Sequence, residues 1–301
     1  MSSFWISVLE QGLIFAIMAQ GVYITYKILD FPDLSVDGTF PLGAAITSAL
    51  LLKGVNPYLA TLAALFFGMF GGLATGVLHV KLKITNLLSG ILVMIGLYSI
   101  NLRIMSKPNI PLFNQSIIFN NSVPKVLIIL AVALIVKLTL DIFLKTKLGF
   151  LLKATGDNHQ LVTSLGVDID SMKILGLMLS NGIVALSGSI LAQHQGFADI
   201  GMGGGMIVTG LASIILGEAL LKHFNFITGT TLAIIGAMVY KAIIALALKL
   251  GLPPTDLKLI SSVIVIVILA LYQANPKKSL KPLVKKGGSQ VVTNTKSIQD
   301  I

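Results

Sequence analysis

The densest set of residues able to do chemistry runs from Leu29 through Asp30, Phe31, Pro32, Asp33, Leu34, Ser35, Val36, Asp37, Gly38, Thr39 and Phe40 to Pro41. It packs three carboxylates, two prolines and a glycine between apolar runs. Prolines stop a helix and Gly38 permits a turn. Ser35, Asp37 and Thr39 can place oxygens on the free N–H groups of a following helix. Two readings stand: a capped loop at a membrane surface, or a pore-lining element with Asp33, Ser35 and Asp37 facing a solute. Hydrolysis by paired acids has no accompanying nucleophile. Further polar residues lie within apolar runs. Asn86 and Ser89 sit near one helix start, and Asn181 lies mid-helix between Ser180 and Gly182. These three join the candidates for a solute path or an interhelical hydrogen bond. Lys137 and Asp141, spaced i,i+4, can pair with each other.

A second chemical stretch, Lys145 to Asp170, is polar between apolar runs. Gly156, Asp157 and Asn158 supply turn and N-cap chemistry, flanked by His159. Leu161, Val162 and Leu165 form an apolar stripe of about two turns, and Gly166 suits a helix end. The spacing predicts a short amphipathic helix over 156–166. Its apolar face needs a receiver, either a membrane surface or a groove on a partner.

Other chemistries are excluded. The chain has no Cys, so disulfides and thiolate sites are absent. No HExxH spacing joins its histidines. The glycine run Gly201-Met202-Gly203-Gly204-Gly205 resembles a phosphate cradle, but no GxxxxGK[ST] exists and no strand that would support a Rossmann turn is predicted ahead of it. It reads as the opening of a helix.

The elements that position these residues are membrane spans. The chain has 301 residues, 55% hydrophobic and 11% charged, against about 25% charged in soluble domains. A spanning helix needs about 20 apolar residues. Such runs cover residues 4–26, 58–80, 84–104, 125–144, 174–193, 205–221, 226–248 and 257–272. A shorter run, 41–52, reads as a re-entrant or broken helix. The fold class expected is therefore all-α: a polytopic membrane protein with about eight spanning helices plus the short one. Residues 1–272 form the membrane domain, with a loop over 145–173. Residues 273–301 form a basic, disordered tail. The first run lacks a basic leader and a small-residue cleavage site, so it is expected to be retained. Gly68, Gly72 and Gly76 share one helix face at GxxxG spacing and predict a close helix–helix seam, within one copy or between copies.

The net charge of +10 does not indicate nucleic acid, because the basic residues cluster at span ends. The distribution of Lys and Arg favours a cytoplasmic tail and a cytoplasmic 145–173 loop. It puts the N-terminus outside if 41–52 crosses. The tail lysines suit anionic lipid headgroups.

The 145–170 stretch resembles permeases of ABC importers, in the branched-chain amino acid and ribose transporter superfamily. Thr146-Lys147-Leu148-Gly149, Ala154, Asp157-Asn158 and Leu165-Gly166-Val167-Asp168 carry the likeness. Asp33-Leu34-Ser35-Val36 is similar to an element of the sugar-type members. Ala212 to Gly217 is similar to a later family segment, with Glu218 in place of a glycine. The resemblance covers roughly residues 10–272. Residues 31–38 look most like the group associated with aromatic amino acid (Trp/Tyr) uptake. The resemblance implies a non-enzymatic transport subunit in the plasma (inner) membrane, importing a small solute such as an amino acid. It implies a second permease copy, read as a homodimer, and an extracytoplasmic substrate-binding protein. It also implies a cytoplasmic ATP-binding subunit that carries ATP and Mg and grips 156–166 as a coupling helix. No cofactor is expected on this chain. The alternative is a secondary transporter driven by an ion gradient, which would need paired intramembrane acids.

Overall fold

The computed structural model describes residues 2–120, 123–221, 227–251, 253 and 256–273. Among them are eleven α-helices: α1 (Ser2–Tyr23), α2 (Val36–Leu52), α3 (Pro57–Val80), α4 (Asn86–Met105), α5 (Lys125–Phe143), α6 (Lys147–Asp157), α7 (His159–Ser164), α8 (Ile169–Gln195), α9 (Met206–Leu221), α10 (Gly229–Lys249) and α11 (Leu257–Gln273). Two three-residue strands, β1 (Asn109–Pro111) and β2 (Phe197–Asp199), pair antiparallel with Ile110 opposite Ala198. Seven helical segments are long and apolar enough to cross a membrane; α2 is shorter. The expected basic tail beyond Gln273 lies outside the described residues.

The helix α8 is the axis. Buried positions run almost without a break from Ser180 to Gln193. At about 1.5 Å per residue its 27 residues exceed a hydrocarbon core of about 30 Å. Small and hydroxylated residues let neighbours approach: the Ser180 hydroxyl donates to the Gly21 carbonyl (2.8 Å) and Ser187 to that of Ile14 (2.7 Å), tying α1 along it. On α3, Ala60, Ala64, Gly68, Gly72, Gly76 and Val80 are all buried, a strict four-residue stripe. Gly72 lies against the backbone of Leu177, Gly68 against Ala185 and Asn181, and Gly76 against Ile174. The glycine seam thus belongs within one chain, between α3 and α8. By contrast α5 fully buries only Ile129, Ala133, Val136 and Leu140, one narrow stripe flanked by partly buried residues such as Val126, Leu130 and Val132.

Contacts at the helix ends fix the direction of each span. One end carries the β1–β2 strand pair, the Glu10–His194 pair (2.8 Å) and Lys249 near the Phe4 and Trp5 rings. The opposite end carries α6 and α7, the Lys27–Glu218 pair (2.8 Å) and Asp141, held by Lys137 (2.6 Å) and Thr230. The N-terminal helix therefore starts at the strand-pair end.

Three boundaries differ from those expected. The short helix starts at Val36, not Pro41: Pro41 sits inside the helix, where its missing N–H leaves the Asp37 carbonyl without its helical partner, and Gly203 packs against that oxygen. Helix α8 begins at Ile169, inside the expected loop, because the Asp168 carboxylate accepts from the Asp170 and Ser171 amides (both 3.1 Å). The expected single helix over 156–166 is two, parted at Asn158.

Candidate functional site

Between α1 and α2 the chain reverses inside the protein. A π-helical turn, Ile24–Ile28, ends α1. Asp30 then takes a positive φ of 52°, which Asp tolerates better than most residues. Asp33 is fully buried and every oxygen is used. Its Oδ1 accepts the Ser35 amide (2.8 Å) and its Oδ2 accepts Asn181 Nδ2 (2.7 Å). Asn181 Oδ1 in turn accepts the hydroxyls of Thr39 (2.7 Å) and Ser35 (3.2 Å). Such a network holds only when each member is satisfied, because an unpaired buried polar group is costly in a low-dielectric interior. Gly90 of α4 lets the Asp33–Ser35 turn sit directly against that helix. The sequence candidates Asp33, Ser35 and Asn181 therefore come together in a closed knot at the broken start of α2. Nearby Ser89 is buried and turns its hydroxyl back to the Asn86 carbonyl (2.8 Å). Asn86 instead lines a recess of about 650 Å³ at the α6–α7 end, beside Lys83 and Lys173.

Asp37 faces another way. Its carboxylate accepts the amides of Gly205 (3.0 Å) and Ile207 (2.8 Å), capping α9 from a distant part of the chain, where the helix dipole favours negative charge. The glycine run opens α9 as expected, with Gly205 at φ 88°. Asp37 borders a cavity of about 380 Å³ together with Pro41, Met94, Tyr98, Ser99 and Asn101. Asn101 was not singled out in the sequence; its place in the apolar run of α4 was the available signal.

At the far end, Asn158 caps α7 by accepting the Leu161 amide (3.2 Å). The helix closes with Val167 N–H on the Val162 carbonyl (3.2 Å), Gly166 N–H on that of Thr163 (3.0 Å), and Gly166 at φ 72°, a Schellman ending. Leu161 and Leu165 are exposed, as are Asp157, His159 and Gly166, but Val162 is fully buried. Val162 is therefore an internal contact of the tip and not, as its stripe suggested, an outward anchor. Gly156 is not a turn residue either: it lies in the last turn of α6, against the Ile28 carbonyl. Through Gly156, and through Leu152 and Leu29 beside Gly176, α6 rests on the segment that leads five residues later into Asp33.

Outside the membrane spans, Asp168 is held below the usual carboxylate range, chiefly by the Ser171 hydroxyl (2.6 Å) and then by the capped amides. Among the described residues no group of three metal-ligating side chains is present.

The chain was compared with known proteins. A family described as the branched-chain amino acid transport system / permease component matches residues 4–272. The chain belongs to this permease family. A tyrosine transport system permease protein of Clostridioides difficile is 54% identical, over 93% of this chain and 96% of that protein. An uncharacterized protein of Rickettsia prowazekii is 35% identical, over 88% and 96%. A galactofuranose transporter permease protein of Escherichia coli is 24% identical, over 88% and 82%. No solved structure matches. The permease is thus an all-α, multi-pass membrane protein of the ABC importer type, a transport subunit. The match over 4–272 encloses both the Asp33–Asn181 knot and the α6–α7 tip.

Proposed function

We propose that this chain is the membrane subunit of an ATP-driven importer for an amino acid, with tyrosine as the leading substrate. The observation that carries this is the 54% identity, over almost the whole of both chains, to a permease named for tyrosine transport. Two permease copies, identical in the simplest assembly, form the pathway between them. A binding protein delivers substrate at the strand-pair end. A separate ATPase subunit, which holds ATP and Mg, binds the α6–α7 end from the cytoplasm.

Three structural features support the arrangement. Lys81, Lys83, Lys145, Lys147, Lys153 and Lys173 gather at or near the α6–α7 end, which suits the cytoplasmic side. Leu161 and Leu165 expose 40% and 54% of their surface there, beyond any membrane span, and need a partner's groove. Finally, α6 bears on the α1–α2 junction, so a displaced tip pushes on the turn that the Asp33–Asn181 knot holds. An ATPase moves this element only if it binds the two permease states with different affinity; a few kcal/mol is enough to reverse a population. The ion-gradient alternative draws no support from Asp141 and Glu218, both of which are paired with lysines.

The test is purification of the tagged permease with its ATPase and binding protein, then uptake of labelled L-tyrosine into vesicles against a panel of unlabelled amino acids. Tyrosine competes best if the reading is right. Uptake insensitive to every amino acid, or a permease that retains no ATPase under conditions that keep it folded, overturns it.

A further inference from the structure

We propose that the cavity between α2, α4 and the 200–204 turn is a station for the ammonium end of the transported amino acid, held by Asp37 and the side-chain oxygen of Asn101. This rests on the amino acid reading above.

The volume, about 380 Å³, falls within the range of small-molecule sites, roughly 300–1,000 Å³. Its chemistry is one-sided. Asn101 is fully buried, and its Nδ2 donates to the Gly38 carbonyl (3.1 Å). That bond fixes the amide: turned over, it would set two acceptors against each other. Asn101 Oδ1 is then a buried acceptor with no donor among the described residues. An orphaned buried acceptor is costly, and a donor on a ligand in the adjoining cavity would satisfy it. One residue away along α2, the Asp37 carboxylate accepts the Gly205 and Ile207 amides, with the Met206 amide also directed at it, and keeps acceptor capacity for one further donor. A carboxylate and an amide oxygen together suit a primary ammonium.

Among the described residues no Lys, Arg or His borders the cavity. The nearest backbone donors are already used: Gly201 N–H binds the Asp199 carboxylate (2.7 Å) and Gly204 N–H the Gly201 carbonyl (3.2 Å). The Tyr98 and Ser99 hydroxyls are the remaining side-chain donors on its wall; with an anionic carboxylate and no fixed cation, the site favours the amine over the carboxylate. Met94, Pro41 and the Tyr98 ring complete a wall for an apolar or aromatic body. The 200–204 turn follows β2, which places the cavity on the strand-pair side, where substrate is delivered in the proposed arrangement.

The chain has no Cys, so Ser99→Cys gives a single reporter thiol at the cavity. The experiment uses the S99C permease assembled with its ATPase in nanodiscs, with ATP-driven tyrosine uptake of the same complex measured in parallel vesicles. The readout is the rate of maleimide labelling. L-tyrosine and tyramine, which share the ammonium, are expected to slow labelling at least threefold. 3-(4-Hydroxyphenyl)propionate, which lacks it, is expected to leave the rate unchanged. Adding Asn101→Leu removes the protection. Because that change also strips the donor from the Gly38 carbonyl, Ile95→Trp serves as a second variant, filling the cavity from its rim with the same loss expected. Equal protection by the propionate, or no protection by either amine in a complex that imports tyrosine, overturns the station while leaving the importer reading intact. Protection by tyramine in a complex that imports no amino acid would sustain the ammonium site and reject the substrate assignment.

Discussion

Asp33 and Asn181 show how much one residue decides inside this bundle. The carboxylate is buried without a cationic partner among the described residues and depends on Asn181 and the Ser35 amide. Asn181→Leu strands one Asp33 and two hydroxyl interactions at once, and should lower stability by about 3 kcal/mol, seen as a reduced melting temperature in detergent. Thr39→Val removes one neutral donor and should cost about 1 kcal/mol. Glycines differ as sharply. A methyl group on Gly72 would meet the Leu177 backbone, whereas one on Gly96 meets nothing within 4 Å. Gly72→Ala should therefore destabilise by about 1–3 kcal/mol, while Gly96→Ala should be neutral or stabilise by up to about 1 kcal/mol; thermal melts of the two variants side by side check this. At the α8 start, the lowered Asp168 pKa sets the sign of a pH effect. A depressed carboxylate contributes above its unfolded pKa and loses that contribution as pH falls through the folded one. Hydrogen exchange of the Asp170 and Ser171 amides should stay protected at neutral pH and loosen only in acid below the ordinary carboxylate range.

At the scale of elements, the long spans were legible because about 20 apolar residues in a row admit few alternatives. The start of α2 was not. A proline is read locally as a helix stop, but here the carbonyl it frees is met by Gly203, some 160 residues later in the chain. The tip was legible in its caps, since Asn158 and Gly166 carry local chemistry. Its split into two helices, and the inward turn of Val162, depend on α6 resting against α1 and α8, which no local pattern encodes. The two faces of α7 make separate predictions. Leu161→Asp should leave the permease folded and inserted but release ATP hydrolysis from uptake, cutting tyrosine transported per ATP at least tenfold. Val162→Asp should instead unfold the tip, read as increased protease sensitivity between Lys147 and Lys173. If Leu161→Asp transports at the normal ratio, α7 is not the coupling element.

For the whole molecule, the sequence resemblance and the family match over residues 4–272 agree on an ABC-type permease. Substrate chemistry was less legible. The residues that border the cavity come from three distant segments, and Asn101 acquires meaning only when Gly38 is found beside it. The account's main claim is that an ATPase acting from the α6–α7 end drives solute inward across this bundle. Its most direct test is uptake of labelled L-tyrosine by vesicles holding permease, ATPase and binding protein, with ATP supplied on the ATPase side and ion gradients dissipated by ionophores. The account predicts uptake that persists with ionophores and ceases without ATP. Uptake that survives ATP removal and collapses with the ion gradient would contradict it.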